Sequence, residues 1–226
     1  MKKILLRVLL ILGIIIIVII GYGLITYYQL STVSQGEPIL EYSTPGSALL
    51  VIDIQEGTTG SYSTVPPYKN QADSLITTVN TLINKADQKN IPVIYIYHQN
   101  SNILHNFISG GKMKKGSPGT KIDSRVHIVT DLLFPKHKMD AFSHPQLDTY
   151  LRNKHIDHLY ITGLDAVFCV DRTVRAALNR NYKVTYITDA VICYSYEKKQ
   201  QLLDTYQDMN IGLAKSSQVI NNTLYK

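Results

Sequence analysis

The chain has two cysteines, Cys169 and Cys193, and neither lies near the N-terminus. Two thiols are too few for a disulfide-built scaffold, and a lipoprotein signal is excluded. There is no acidic residue among positions 1–30, no internal repeat, and no long low-complexity run beyond the apolar N-terminal stretch. The formal net charge is +6, and Lys2, Lys3 and Arg7 supply half of it. What remains on the rest of the chain is too little to suggest nucleic-acid binding. The run Lys112, Lys114, Lys115 is a local basic loop, best read as solvated.

What the N-terminus does contain is an uncharged run of 18 residues, Val8 to Ile25, dominated by Ile, Leu, Val and Gly. As a helix it crosses a hydrocarbon core of about 30 Å. Tyr22, Tyr27 and Tyr28 suit the far interface, and Lys2, Lys3 and Arg7 the near one. No basic residue follows until Lys69. By the positive-inside rule the N-terminus is cytoplasmic and the remainder extracytoplasmic. The run exceeds the roughly 7–15 residues of a cleaved signal's apolar region, and Ile25 to Leu30 offers no small-x-small cleavage site. Residues 1–28 are therefore expected to be an uncleaved, single-pass membrane anchor. Residues 29–44 read as a linker, and residues 45–226 as one domain with room for a full core.

Three segments of that domain carry chemistry. In the first, residues 48–55 (ALLVIDIQ), an apolar run suited to a strand buried on both faces leads into Asp53. An acid there is costly without a partner or a task. In the second, residues 134–142 (FPKHKMDAF), a basic pair precedes a small-aromatic step. In the third, residues 163–190, the pattern is strand, sharp turn, helix, strand. Apolar or small residues at Val170, Thr173, Val174, Ala177 and Leu178 form one helical face after Cys169. That puts a thiol at a helix N-terminus on the C-terminal edge of a parallel sheet. The unpaired N–H groups and the helix dipole favour a thiolate there, and ligand sites of open α/β sheets lie at that edge.

Together these segments resemble the isochorismatase-like cysteine hydrolases, which include nicotinamidases, ureidoacrylate and carbamoyl-amide hydrolases, and isochorismatase itself. The resemblance covers about Ser47 to Ile220. It rests on Asp53 with Gln55, on Lys136 six residues before Phe142, and on Cys169 with Gly163, Val170 and Thr173. Lys138 is the alternative lysine. The resemblance implies a three-layer, doubly wound α/β fold with a mostly parallel sheet. It also implies a cysteine-dependent hydrolase that acts on a C–N amide or ureide bond of a small molecule. Cys169 would attack the carbonyl to form a thioester. Asp53 would move the proton, and Lys136 would hold Asp53 and lower the thiol pKa. The backbone N–H groups of Asp165 and Cys169 would receive the oxyanion, beside a cis peptide at Leu164–Asp165. Gln55, Phe142 and Phe168 are the expected substrate contacts. Ether cleavage without a covalent step, or a non-catalytic binding domain on the same fold, are the alternatives.

Departures from the family bear on substrate. Many relatives carry an aromatic where this chain has Thr58, so Tyr62, Tyr68 or Phe107 is expected to wall the pocket. The Asp-x-His pair of the metal-binding nicotinamidases is missing, although His98 and His105 are present, and no metal or cofactor is expected. Relatives commonly form dimers or tetramers, which leaves a homo-oligomer open. Both thiols are expected to be free, because a bond to Cys193 would inactivate Cys169. Leu75, Val79, Leu82, Ile83 and Ala86 predict a helix within 71–90, with Asn90 ending it. Further helices are expected over 145–154 and 195–210, and a last edge strand at Val219–Ile220. The long segment 98–125 is expected to select substrate.

Overall fold

The structure is a computed structural model and describes residues 2–100, 106, 110–209 and 211–221. His105 and Phe107 lie outside the described residues. Six parallel strands form the sheet, in the order β3-β2-β1-β4-β5-β6. They are β1 (Gly46–Ile52), β2 (Val93–His98), β3 (Leu133–Lys136), β4 (Ile156–Gly163), β5 (Lys183–Val191) and β6 (Gly212–Ala214). The order turns back on itself between β1 and β4, and ligands of open α/β sheets bind at such a switch point.

The apolar run at 48–52 becomes the central strand and is buried throughout, because helices cover both faces. On one face lie α2 (Pro66–Gln88) and the short α6 (Ser216–Asn221), which bury Leu75, Val79, Leu82, Ile83 and Val219 against Leu49, Val51 and Tyr95. The other face carries α3 (Pro145–Asn153), α4 (Asp171–Leu178) and α5 (Tyr196–Asp208). Their Leu147, Leu151, Val174, Ala177, Leu202 and Tyr206 meet Leu50, Ile52, Ile94 and Ile161. Prolines at the first positions of α2 start that helix where a missing N–H is harmless. It ends at Lys89, and Asn90 follows in the left-handed region at φ 55°.

One expected strand is a helix. Val219 and Ile220 lie in α6, and the edge strand is Gly212–Ala214, paired with Thr185–Ile187 of β5. The Asp189 carboxylate accepts the N–H and the hydroxyl of Ser216, each at 2.7 Å. That starts a helical turn where the apolar pair alone suggested extended chain.

At the N-terminus, α1 (Lys2–Ser31) is long and apolar enough to cross a membrane, as a membrane anchor or a signal sequence would be. None of its residues is buried. The segment expected as a linker is fastened to the domain. The Ser34 hydroxyl donates to Asp140 at 2.6 Å, and Arg180 donates to the carbonyls of Ser34 and Gln35. Val33 and Ile39 pack on the core. The low apolar content of 29–44 hid this docking, because backbone carbonyls make most of it.

Gly163 ends β4 at φ 117°, opposite Ile52. A Cβ there would sit 2.0 Å from the Ile52 carbonyl oxygen, which accepts the Leu164 N–H at 3.1 Å. Gly163→Ala is expected to cost at least about 2 kcal/mol of stability, because both the dihedral and the backbone contact oppose a side chain. Urea denaturation measured beside the parent protein checks this.

Candidate active site

Three strand ends build the site. β1 stops at Ile52, and Asp53 follows in the left-handed region at φ 57°. Asp tolerates that region better than most residues. Thr58 holds the turn by donating its hydroxyl to the Asp53 carbonyl at 2.6 Å and accepting the Gln55 N–H at 2.9 Å. Lys136 is the last residue of β3. Cys169 lies beyond β4, in a π-turn over Ala166–Val170 that runs into α4. The Leu164–Asp165 peptide that leads into this turn is cis, as the resemblance implied.

These elements bring Asp53, Lys136 and Cys169 together. The Lys136 ammonium is fully buried and donates to Asp53 Oδ2 at 2.9 Å, to Cys169 Sγ at 3.2 Å and to the Lys138 carbonyl at 3.2 Å. Its three protons thus have three acceptors. Lys138 offers only that carbonyl, and its side chain is exposed. Asp53 is 4% exposed, and its Oδ1 is buried without a hydrogen-bond partner among the described residues.

The electrostatics differ from the expected thiolate. Burial pushes the Cys169 thiol up, Lys136 opposes it, and the Asp53 carboxylate adds to it, for a value of about 12. Burial also raises Asp53 above the ordinary carboxylate range, although Lys136 and the Cys169 thiol offset part of this. Burial by itself would lower Lys136, but the attraction of Asp53 and Cys169 overcomes it and the net shift is upward. Burial is the largest influence on the sulfur, which at rest is a thiol beside the Lys136 ammonium.

A cavity of about 190 Å³ opens on this array, lined by Asp53, Thr58, Tyr68, His98, Met113, Leu164, Asp165, Phe168 and Cys169. Phe168 is on the wall as expected, stacked on Tyr194 with ring centroids 5.7 Å apart. Tyr68 supplies an aromatic wall where Thr58 is small, whereas Tyr62 is half-exposed and outside the lining. Two expected contacts are not there. The Gln55 side chain is buried and donates to the carbonyls of His98 and Thr120, while its oxygen accepts the His98 N–H. It braces the pocket's loops from behind. Phe142 is a core residue, under the Arg180 guanidinium at 4.7 Å and against Tyr182 at 5.5 Å. Segment 98–125 contributes His98 and Met113 to the wall.

The sequence pattern gave the Asp165 side chain no role. Its Oδ1 accepts the Val167 N–H at 2.9 Å and lies 3.5 Å from Cys193 Sγ. Its Oδ2 accepts the Tyr194 N–H at 2.7 Å and the Tyr68 hydroxyl at 3.1 Å. An acid in an otherwise apolar turn was the available signal. Both cysteines are free thiols. Among the described residues no group of three His, Cys, Asp or Glu side chains is placed to hold a metal ion.

Residues 47–218 match the isochorismatase domain model. The ureidoacrylate amidohydrolase RutB of Yersinia enterocolitica is 27% identical over 180 residues, covering 68% of this chain and 78% of that protein. Nicotinamidase 3 of Arabidopsis thaliana is 22% identical over 165 residues, covering 70% and 78%. An isochorismatase family protein of Desulfovibrio vulgaris has the same fold, with a TM-score of 0.71 at 20% identity, covering 81% of this chain and 100% of that one.

The thiol's reactivity should follow its charged neighbours. Asp53→Asn removes the negative neighbour and leaves Lys136 beside the sulfur, so the thiol pKa falls. Below that pKa the thiolate fraction rises about tenfold for every tenfold gain in thiol acidity, and iodoacetamide alkylation of Cys169 at neutral pH speeds up with it. Lys136→Met acts in the opposite direction and slows alkylation. Peptide mass spectrometry across a pH series reads both.

Proposed function

The chain belongs to the isochorismatase domain family, and we propose that this hydrolase is a cysteine-dependent amidohydrolase that cleaves a C–N bond of a small amide or ureide through a thioester. The observation that carries the reading is the contact of the buried Asp53–Lys136 pair with Cys169 on one small cavity. A binding domain has no need of a buried acid and ammonium held against a partly exposed thiol.

In the proposed cycle Asp53 takes the Cys169 proton as the sulfur attacks the carbonyl carbon. Its raised pKa makes it a stronger base than an ordinary carboxylate. Because the resting sulfur is a thiol, proton removal and attack are coupled. The oxyanion is received by the Asp165 and Cys169 N–H groups. Asp53 then passes the proton to the nitrogen as the C–N bond breaks, and the amine leaves a thioester. Water gives a proton to Asp53 and adds to that thioester. Collapse expels the sulfur, which recovers the proton from Asp53, and the acid departs. Lys136 stabilises the negative charge on Asp53 or on sulfur at each stage. The relatives named as amidohydrolases and nicotinamidases support C–N cleavage as the reaction type.

The N-terminal helix belongs to the same proposal. Lys2, Lys3 and Arg7 precede its apolar run and favour a cytoplasmic N-terminus, with the hydrolase domain outside and the helix retained as an anchor.

Cys169→Ala and Asp53→Asn are each expected to lower kcat/KM on a primary-amide substrate by at least about 10³-fold. In the parent, acid quenching during turnover should leave an acyl mass on the Cys169 peptide. Activity falls as pH drops through the raised Asp53 pKa, so the acid limb lies above the ordinary carboxylate value of about 4. Hydrolysis that survives in Cys169→Ala would make the reaction non-covalent. Peptides from residues 1–28 should remain in the membrane-bound protein, and their loss would mark a cleaved signal.

A further inference from the structure

Lys136 stands on the least supported part of the sheet. β3 is an edge strand, four residues long and paired only with β2. Yet its ammonium has to keep 2.9 Å from Asp53 and 3.2 Å from Cys169. The third proton goes to the Lys138 carbonyl, in the loop that leaves the strand. Neither Lys136 nor residues 137–140 line the cavity, so this loop bears on the array without bearing on the substrate.

The end of α1 holds the loop. The Lys138 carbonyl and the Met139 N–H belong to one planar peptide group. That N–H donates to the Leu30 carbonyl at 3.0 Å. The Leu30 carbonyl is among the last of α1, which find no partner within the helix. One peptide group therefore joins the helix end to the ammonium, and hydrogen bonds linked in this way strengthen one another. Asp140, the next residue, accepts the Ser34 N–H at 3.2 Å and the Ser34 hydroxyl at 2.6 Å. Arg172, in the first turn of α4, donates to the Ser31 carbonyl at 3.0 Å and to Asp171. We propose that the C-terminal end of α1 is a positioning element of the active site. Leu30 and Ser31 fix the Lys138–Met139 peptide and Arg172, and through that peptide they keep the Lys136 ammonium on the Cys169 sulfur. When the peptide turns, the ammonium follows its oxygen partners. The thiol sulfur, the weakest of its three acceptors, is the one it leaves. The proposal rests on the reading of Lys136 as the group that assists the thiol, and it gives α1 a part in the chemistry beyond tethering.

Alkylation by iodoacetamide tests this on the full chain in detergent without any substrate, with the buried Cys193 as internal reference. Ser31→Pro is the first variant. Proline steers the residue before it out of the helical region, which turns the Leu30 carbonyl away from Met139. Alkylation of Cys169 at neutral pH should slow about threefold, as the loss of one hydrogen bond implies, with the Cys193 rate unchanged. Arg172→Met cuts the second contact, leaves the helix intact and should slow Cys169 in the same direction. Lys136→Met should slow it furthest. A parent-like Cys169 rate in Ser31→Pro, beside a slow Lys136→Met, would overturn the proposal and leave the lysine's role standing. A parent-like rate in Lys136→Met would remove that role and the proposal with it. Faster alkylation of both cysteines in Ser31→Pro would report an opened domain. Arg172→Met then decides, and a parent-like Cys169 rate there overturns the proposal.

Discussion

A carboxylate and an ammonium taken out of water cost several kcal/mol each unless they satisfy one another closely. Asp53 and Lys136 do so at 2.9 Å, with Lys136 fully buried. The sheet order explains why the partner is a lysine. β1 and β3 are separated by β2, which puts their ends two strand spacings apart, roughly 9.6 Å. Only a long side chain crosses the end of β2 to reach Asp53. Cys169 follows β4, the other neighbour of β1, so a short side chain is enough there. Removing either member of the pair leaves a buried charge uncompensated, and the sulfur loses the environment that sets its proton affinity.

That environment also shows what the thiol reading from sequence left out. A helix N-terminus and a nearby lysine both favour a thiolate, and each was visible in the motif spacing. Burial and the Asp53 carboxylate act against them, and burial is the largest influence on Cys169. Desolvation depends on everything packed around the sulfur, which one chain's spacing does not reveal. A neutral thiol beside a strengthened carboxylate suits coupled proton transfer better than a standing thiolate does. A neutral thiol also leaves less thiolate for oxidants to attack.

Much of the architecture was legible because hydrophobic periodicity and burial coincide. The stripe from Leu75 to Ala86 became α2, and the continuous run at 48–52 became the central strand. Asp53, Lys136 and Cys169 were found by motif spacing, and they meet because Lys136 ends a strand and the other two follow strand ends at the same sheet edge. The motif neighbours were less informative. Gln55 and Phe142 lie within two and six residues of Asp53 and Lys136, yet their side chains point to loop carbonyls and to the core. Proximity in sequence places a residue near the site but not on the cavity wall. Val219 and Ile220 went wrong for a related reason, since a two-residue apolar pair has no period and a side-chain cap decided the outcome. The Asp165 carboxylate was overlooked because its four partners come from α2, its own turn and the β5–α5 connection, all distant in sequence from one another or hidden in backbone.

The least legible feature was the attachment of the N-terminal helix. Its last carbonyls are not left to water. The Leu30 carbonyl accepts the Met139 N–H at 3.0 Å, and the Ser31 carbonyl accepts the Arg172 guanidinium at 3.0 Å. A cation at a helix C-terminus is favourable on dipole grounds alone. The donors lie three residues after Lys136 and three after Cys169. The two segments that deliver the lysine and the thiol therefore also close the end of α1. Downstream, Asp140 holds Ser34 and Arg180 holds the next carbonyls, so the chain between helix and sheet follows a defined path. Arginine suits this work because its fixed fork of donors reaches several carbonyls at once. Composition alone described residues 29–44 as a polar spacer. The contacts make them part of the domain's surface, because their backbone answers side chains contributed by the same elements that frame the site.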